Sequence, residues 1–62
     1  MNRLKEIRES KALTITELAR RSGITRQTIT RLENEEDDTA NSKTLKALAD
    51  ALEVRVTDFF SG

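Results

Sequence analysis

A helix start, a helix stop and a second start fall between Thr14 and Thr25, and together they leave this chain little freedom in how it folds. Thr14 and Glu17 have the Thr-x-x-Glu spacing of a capping box, in which the hydroxyl and the carboxylate each satisfy an orphan backbone N–H. Gly23 stops that helix early, because glycine takes a left-handed backbone without a Cβ penalty. Thr25 is placed to cap the next helix. Two short helices must therefore meet across a tight turn. That packing needs a small residue at the crossing, here Ala19, and apolar residues facing inward, here Leu18, Ile24, Ile29 and Leu32.

The remaining residues also read as helix. Leu4 and Ile7 are three apart, with Arg8 and Lys11 completing the stripe, and Leu45, Leu48, Ala49 and Leu52 fall at i, i+3, i+4 and i+7. Val54-Arg55-Val56 is the nearest approach to strand alternation, and it is too short to build a sheet. Asn41 or Ser42 is placed to cap a fourth helix, and Thr57 to open a short fifth turn. The expected architecture is all-α: five helices at about 2–11, 15–22, 26–34, 42–52 and 57–61, in one domain spanning residues 1–62.

With 62 residues the core is small. There is no cysteine, hence no disulfide or thiolate metal site, and with no histidine any metal would need oxygen ligands alone. No metal and no cofactor are expected. Apolar runs are too short for a transmembrane helix or a signal peptide, so a cytoplasmic chain without membrane contact is expected. An enzyme is not expected either, since histidine, cysteine, tyrosine and a phosphate-cradling glycine loop are all missing.

Leu13-Thr14, Glu17-Leu18-Ala19, Ser22-Gly23-Ile24-Thr25, Ile29 and Arg31-Leu32-Glu33-Asn34 resemble the Xre/Cro-type helix-turn-helix repressors. Leu4-Lys5-Glu6-Ile7-Arg8 resembles the first helix of that family, and Thr44-Leu45, Leu48-Ala49, Ala51-Leu52 and Val54 resemble its fourth. The resemblance covers nearly the whole chain. It implies a compact five-helix, lambda-repressor-like DNA-binding domain with the helix-turn-helix at helices two and three.

The third helix supports the same expectation by its own geometry. At about 100° per residue from Arg26, the side chains of Arg26, Thr30, Asn34, Gln27 and Arg31 fall on one arc of roughly 140°. Thr28, Leu32, Ile29 and Glu33 fill the other side. The polar arc holds no acid, whereas a merely solvated face usually mixes both charge signs. Arginine suits guanine, glutamine suits adenine, and the methyl of threonine suits that of thymine. Arg26, Gln27, Thr30 and Arg31 are thus the expected base readers, and the resemblance points to Arg26, Gln27 and Arg31 among them. Thr25, Thr28 and Asn34 lie near helix ends or at the flank, where phosphate contact is expected. Arg20 and Arg21 end the second helix, where the negative end of its dipole accounts for them as well as a phosphate would.

Glu33 falls next to Ile29 on this wheel, and Arg8 lies on the inward Leu4/Ile7 stripe. A carboxylate facing inward needs a partner. The family pattern has an arginine and a glutamate at these two positions as an internal ion pair, so an Arg8–Glu33 pair is expected.

Three departures from the family pattern stand out. Ile15 occupies the first position of helix two, where the family commonly has a glutamine that contacts phosphate. The backbone around Thr14 and Ile15 can still meet a phosphate, while the Ile15 side chain offers a methyl contact or covers apolar surface. Ala12 stands where the family often has glycine, and a left-handed backbone there would cost alanine about 1 kcal/mol. After Asn34 comes Glu35-Glu36-Asp37-Asp38, in place of the usual glycine and base. These acids read as a solvated loop near the positive end of helix four, or as a loop held off from phosphates or facing a basic partner. A calcium loop does not fit contiguous acids without a glycine.

The formal charge is zero, with 11 bases and 11 acids. Residues 1–34 nevertheless carry +4 and residues 35–62 carry −4, and from Leu18 to Leu32 there are four arginines and no acid. Val54, Val56, Phe59 and Phe60 make the C-terminal end more apolar than so small a domain covers. The resemblance implies a symmetric dimer there, with Val56, Phe59 and Phe60 as the expected interface. Two copies would place their recognition helices about 34 Å apart on a pseudo-palindromic operator. The expected function is a sequence-specific DNA-binding transcriptional regulator of repressor type, a homodimer at least on double-stranded DNA. The competing expectation is the same fold serving mainly as a protein-interaction module, antitoxin-like or anti-repressor-like, with weak DNA affinity.

Overall fold

The computed structural model describes residues 3–34 and 41–60. Four α-helices follow in order, α1 (Leu4–Ser10), α2 (Ile15–Ser22), α3 (Arg26–Glu33) and α4 (Ser42–Leu52), and a 3-10 turn (Val56–Phe59) ends the described chain. No strand occurs among the described residues. The acidic Glu35-Glu36-Asp37-Asp38 segment lies outside them.

Caps explain the boundaries. The Thr14 hydroxyl accepts from the Glu17 N–H at 3.1 Å, and the Glu17 carboxylate accepts from the Thr14 N–H at 3.1 Å, so the capping box closes in both directions. The Thr25 hydroxyl accepts from the Thr28 N–H at 3.2 Å and starts α3. Of the two candidates for α4, Asn41 is the cap, its side-chain oxygen accepting from the Thr44 N–H at 2.8 Å. Helix α1 is shorter than the expected 2–11, because Lys11 already stands outside it as C-cap and Ala12 turns left-handed at φ +57°. The last element differs more. A 3-10 turn starts at Val56, one residue before the expected opening at Thr57, because the Asp58 carboxylate reaches back and accepts from the Arg55 N–H at 3.0 Å.

Three left-handed residues close three helices. Gly23 (φ +74°) ends α2, with its N–H donating to the Ala19 carbonyl at 2.9 Å. A Cβ built at Gly23 would meet nothing within 4 Å, so the backbone angle alone selects glycine. Ala12 follows α1, and the Leu13 N–H then bonds back to the Arg8 carbonyl at 3.2 Å. Glu53 (φ +59°) caps α4 in the same way, with the Val54 N–H returning to the Ala49 carbonyl at 2.9 Å. Neither alanine nor glutamate is relieved of the Cβ penalty that glycine avoids.

The core gathers one stripe from each element: Leu4 and Ile7 of α1, Leu18 of α2, Ile29 and Leu32 of α3, and Leu48, Ala49 and Leu52 of α4. Leu13 and Phe59 join it from the connections. Helix α2 packs on α3 and α4, α1 packs on α3, and the 3-10 turn folds back on α4. Helix α3 is thus held from two sides, with its outer face left open.

Candidate nucleic-acid interface

Helix α3 divides along its length into a buried and an exposed face. Ile29 is fully buried and Leu32 nearly so, fixing the helix by its inner side. Arg26, Gln27, Thr30 and Arg31 are all exposed. These four side chains line one open groove, whose opposite wall is Ile15 and Thr16 at the start of α2. The fold therefore brings the four expected base readers together, with no acid among them. Thr16 completes the groove. Its position beside Ile15 on the first turn of α2 is the signal in the sequence that marks it.

The residues expected at phosphates sit around this groove with different freedom. The Thr14 hydroxyl proton is already given to the Glu17 carboxylate, 3.2 Å away. The Thr25 hydroxyl donates to the Thr28 hydroxyl at 2.9 Å, which leaves the Thr28 proton available to an outside acceptor. Asn34 is exposed at the C-cap of α3, the far end of the helix from Thr25. Arg20 and Arg21 are exposed in the last turn of α2, where positive charge meets the negative end of the helix dipole. The two hydrogen bonds from Thr14, backbone first, hold the Glu17 carboxyl below its ordinary value, with smaller help from Arg21 and Arg20.

An ion pair joins α1 to the end of α3. Arg8 Nε donates to Glu33 Oε2 at 2.7 Å and Arg8 Nη2 to Glu33 Oε1 at 3.2 Å, so the guanidinium grips the carboxylate with both arms. A third donor, Nη1, reaches the Leu13 carbonyl at 2.7 Å. The arginine and glutamate side chains are only 10% and 5% exposed. Hydrogen bonding to Glu33 pushes the Arg8 pKa above its ordinary value, outweighing the opposite pull of burial. Among the described residues no buried side-chain nitrogen or oxygen lacks a partner, which is what makes a mostly buried charge pair tolerable. The Leu13 carbonyl is the partner that sequence reasoning missed, since nothing in a side-chain pattern marks a backbone acceptor.

The C-terminal aromatics separate. Phe59 is fully buried and Phe60 is 63% exposed. The expectation that Phe59 belongs to an interface between copies needs correction, because the 3-10 turn directs its ring into the core of its own chain. Val56 is half-buried against that core, and Phe60 alone of the three faces outward. Among the described residues no helix is long and apolar enough to cross a membrane.

A family model described as helix-turn-helix matches the chain over residues 4–59. No curated protein and no solved structure matches it.

Proposed function

Since the chain belongs to the Xre/lambda-repressor-like helix-turn-helix family, a family of DNA-binding regulators, we propose that it is a sequence-specific transcriptional repressor that reads the major groove with α3. One observation carries the proposal: four exposed side chains with base-edge chemistry, Arg26, Gln27, Thr30 and Arg31, share one groove wall without an acid. An α-helix fits the major groove, and bidentate arginine and glutamine contacts distinguish base pairs there. The Thr28 hydroxyl, Asn34 and the backbone N–H groups of Ile15 and Thr16, which follow the capping residue Thr14, serve as phosphate contacts, which set register rather than sequence.

The proposed repressor works as a homodimer on a pseudo-palindromic operator. Four base readers per copy give limited discrimination, and a second copy doubles the site read. Phe60, with half-buried Val56 four residues before it, is the apolar surface offered for that contact. The zero net charge assigns a further property, weak sequence-independent affinity, because non-specific binding is carried by surplus positive charge. The protein accordingly relies on base contacts and on pairing, acting on DNA in the cytoplasm.

Titrating a labelled duplex at two salt concentrations tests this. Binding that weakens with salt and differs between duplex sequences is expected. Binding that is absent at low salt, or indifferent to sequence, contradicts it and favours an interaction module.

A further inference from the structure

Ile15 departs from the polar character of the surface around it. It is half-buried, packed by one side against the core, and with its other side it forms a wall of the same groove that holds Gln27 and Arg31. Thr16 lines the same groove next to it. A β-branched side chain is stiff at χ1, so the methyl surface it presents is already in place before anything binds. A polar residue at this position would make one more hydrogen bond to DNA. An isoleucine makes none, and it gains only from an apolar group brought against it.

The major groove offers one apolar group on an unmodified base, the C5-methyl of thymine. Gln27, which lines the same groove as Ile15, has the donor and acceptor that match adenine N7 and N6. The thymine paired with that adenine presents its methyl on the same groove edge. We propose that Ile15 is a specificity-determining residue that selects thymine by its C5-methyl, at or next to the base pair that Gln27 reads. The inference rests on the DNA-binding reading above and adds to it a named contact. It gives a physical role to the isoleucine, which otherwise leaves a half-wet apolar wall beside four polar side chains.

The test separates the two readings. Duplexes are selected with the 62-residue chain from a random pool, and each thymine of the selected site is replaced in turn by deoxyuridine, which removes the methyl and nothing else. Wild-type protein should lose affinity about fourfold at one thymine per half-site, the value of one buried methyl-sized group. Ile15→Ala should bind the thymine and uracil duplexes equally at that position while keeping any penalty elsewhere. Ile15→Ser serves as a second variant, and circular dichroism shows whether each variant is folded. With a C·G pair at that position, 5-methylcytosine should bind more tightly than cytosine, since the methyl occupies the same place on the ring and the pairing partner is unchanged. Loss of methyl dependence in neither variant, or no methyl dependence in the wild type, overturns the Ile15 assignment while leaving DNA binding standing. Absence of binding to any duplex overturns both.

Discussion

Arg8 holds Glu33 through two hydrogen bonds, at 2.7 and 3.2 Å, and so ties α1 to the last residue of α3 across 25 positions of sequence. The same guanidinium reaches the Leu13 carbonyl, just ahead of the capping box that opens α2. One side chain therefore registers the first helix, the start of the second and the end of the third. The groove wall built by Ile15 on α2 and by Arg26 to Arg31 on α3 depends on that register.

Breaking the pair from one side strands a charge that is almost wholly buried. Arg8→Met or Glu33→Gln should each lower stability by about 3–5 kcal/mol, a large part of what a domain this small has. Replacing both residues with apolar ones should recover most of the loss, as buried pairs exchanged for well-packed side chains often do. Urea unfolding of the two single variants and the double variant checks this. Single variants as stable as the wild type would contradict the coupling of α1 to α3.

Backbone strain gives predictions of opposite sign at three similar sites. Ala12 and Glu53 are left-handed without being glycine. Ala12→Gly and Glu53→Gly should each stabilise by up to about 1 kcal/mol, seen as a rise of roughly 4–8 °C in Tm for a small domain. Gly23→Ala should lower Tm by a comparable amount through φ alone, since no neighbour stands within 4 Å to add a clash.

Acid should weaken the start of α2 in a defined window. Hydrogen bonds from Thr14 hold the Glu17 carboxyl below its ordinary value of 4.5. A depressed folded pKa means that the stabilisation is complete above the unfolded value and is lost as pH falls through the folded one. The stability advantage of wild type over Glu17→Gln should thus be constant near neutral pH and shrink below about pH 4.5. Thermal melts of both proteins across that range measure it.

The two C-terminal aromatics should behave in opposite ways. Phe59→Ala empties a fully buried site and should cost about 3–5 kcal/mol. Phe60→Ser changes an exposed ring and should leave Tm within a few degrees while weakening self-association on DNA. Sedimentation with and without duplex, together with melts, distinguishes them. A Phe60 variant that dimerises unchanged would place the contact elsewhere.

Sequence alone located α2, α3 and α4 closely, because Thr14, Thr25 and Asn41 are capping residues and Gly23 marks a left-handed stop. The exposed polar face of α3 was also legible, since Arg26, Gln27, Thr30 and Arg31 share an arc on any helical wheel. The Arg8–Glu33 contact could be named only with the family pattern beside the wheel, because periodicity places each residue inward without saying which meets which. The C-terminal turn was not legible to the residue. Adjacent phenylalanines look alike in sequence, and only the shift to 3-10 geometry, set by Asp58 reaching Arg55, decides that Phe59 is buried and Phe60 is not. Glu53 gave no sign of its left-handed backbone, as glutamate is not a residue that marks such a cap. The groove wall at Ile15 needed the packing of α2 on α3, which no local pattern carries.

Selection from a random duplex pool tests most directly the claim that the acid-free face of α3 reads DNA sequence. Wild-type protein should enrich two related half-sites about one helical turn apart. Gln27→Ala and Arg31→Ala should each relax the preference at one position per half-site, at about 1–3 kcal/mol per lost contact. A pool that shows no enrichment, or the same motif recovered by Arg26→Ala, Gln27→Ala and Arg31→Ala alike, would contradict the account.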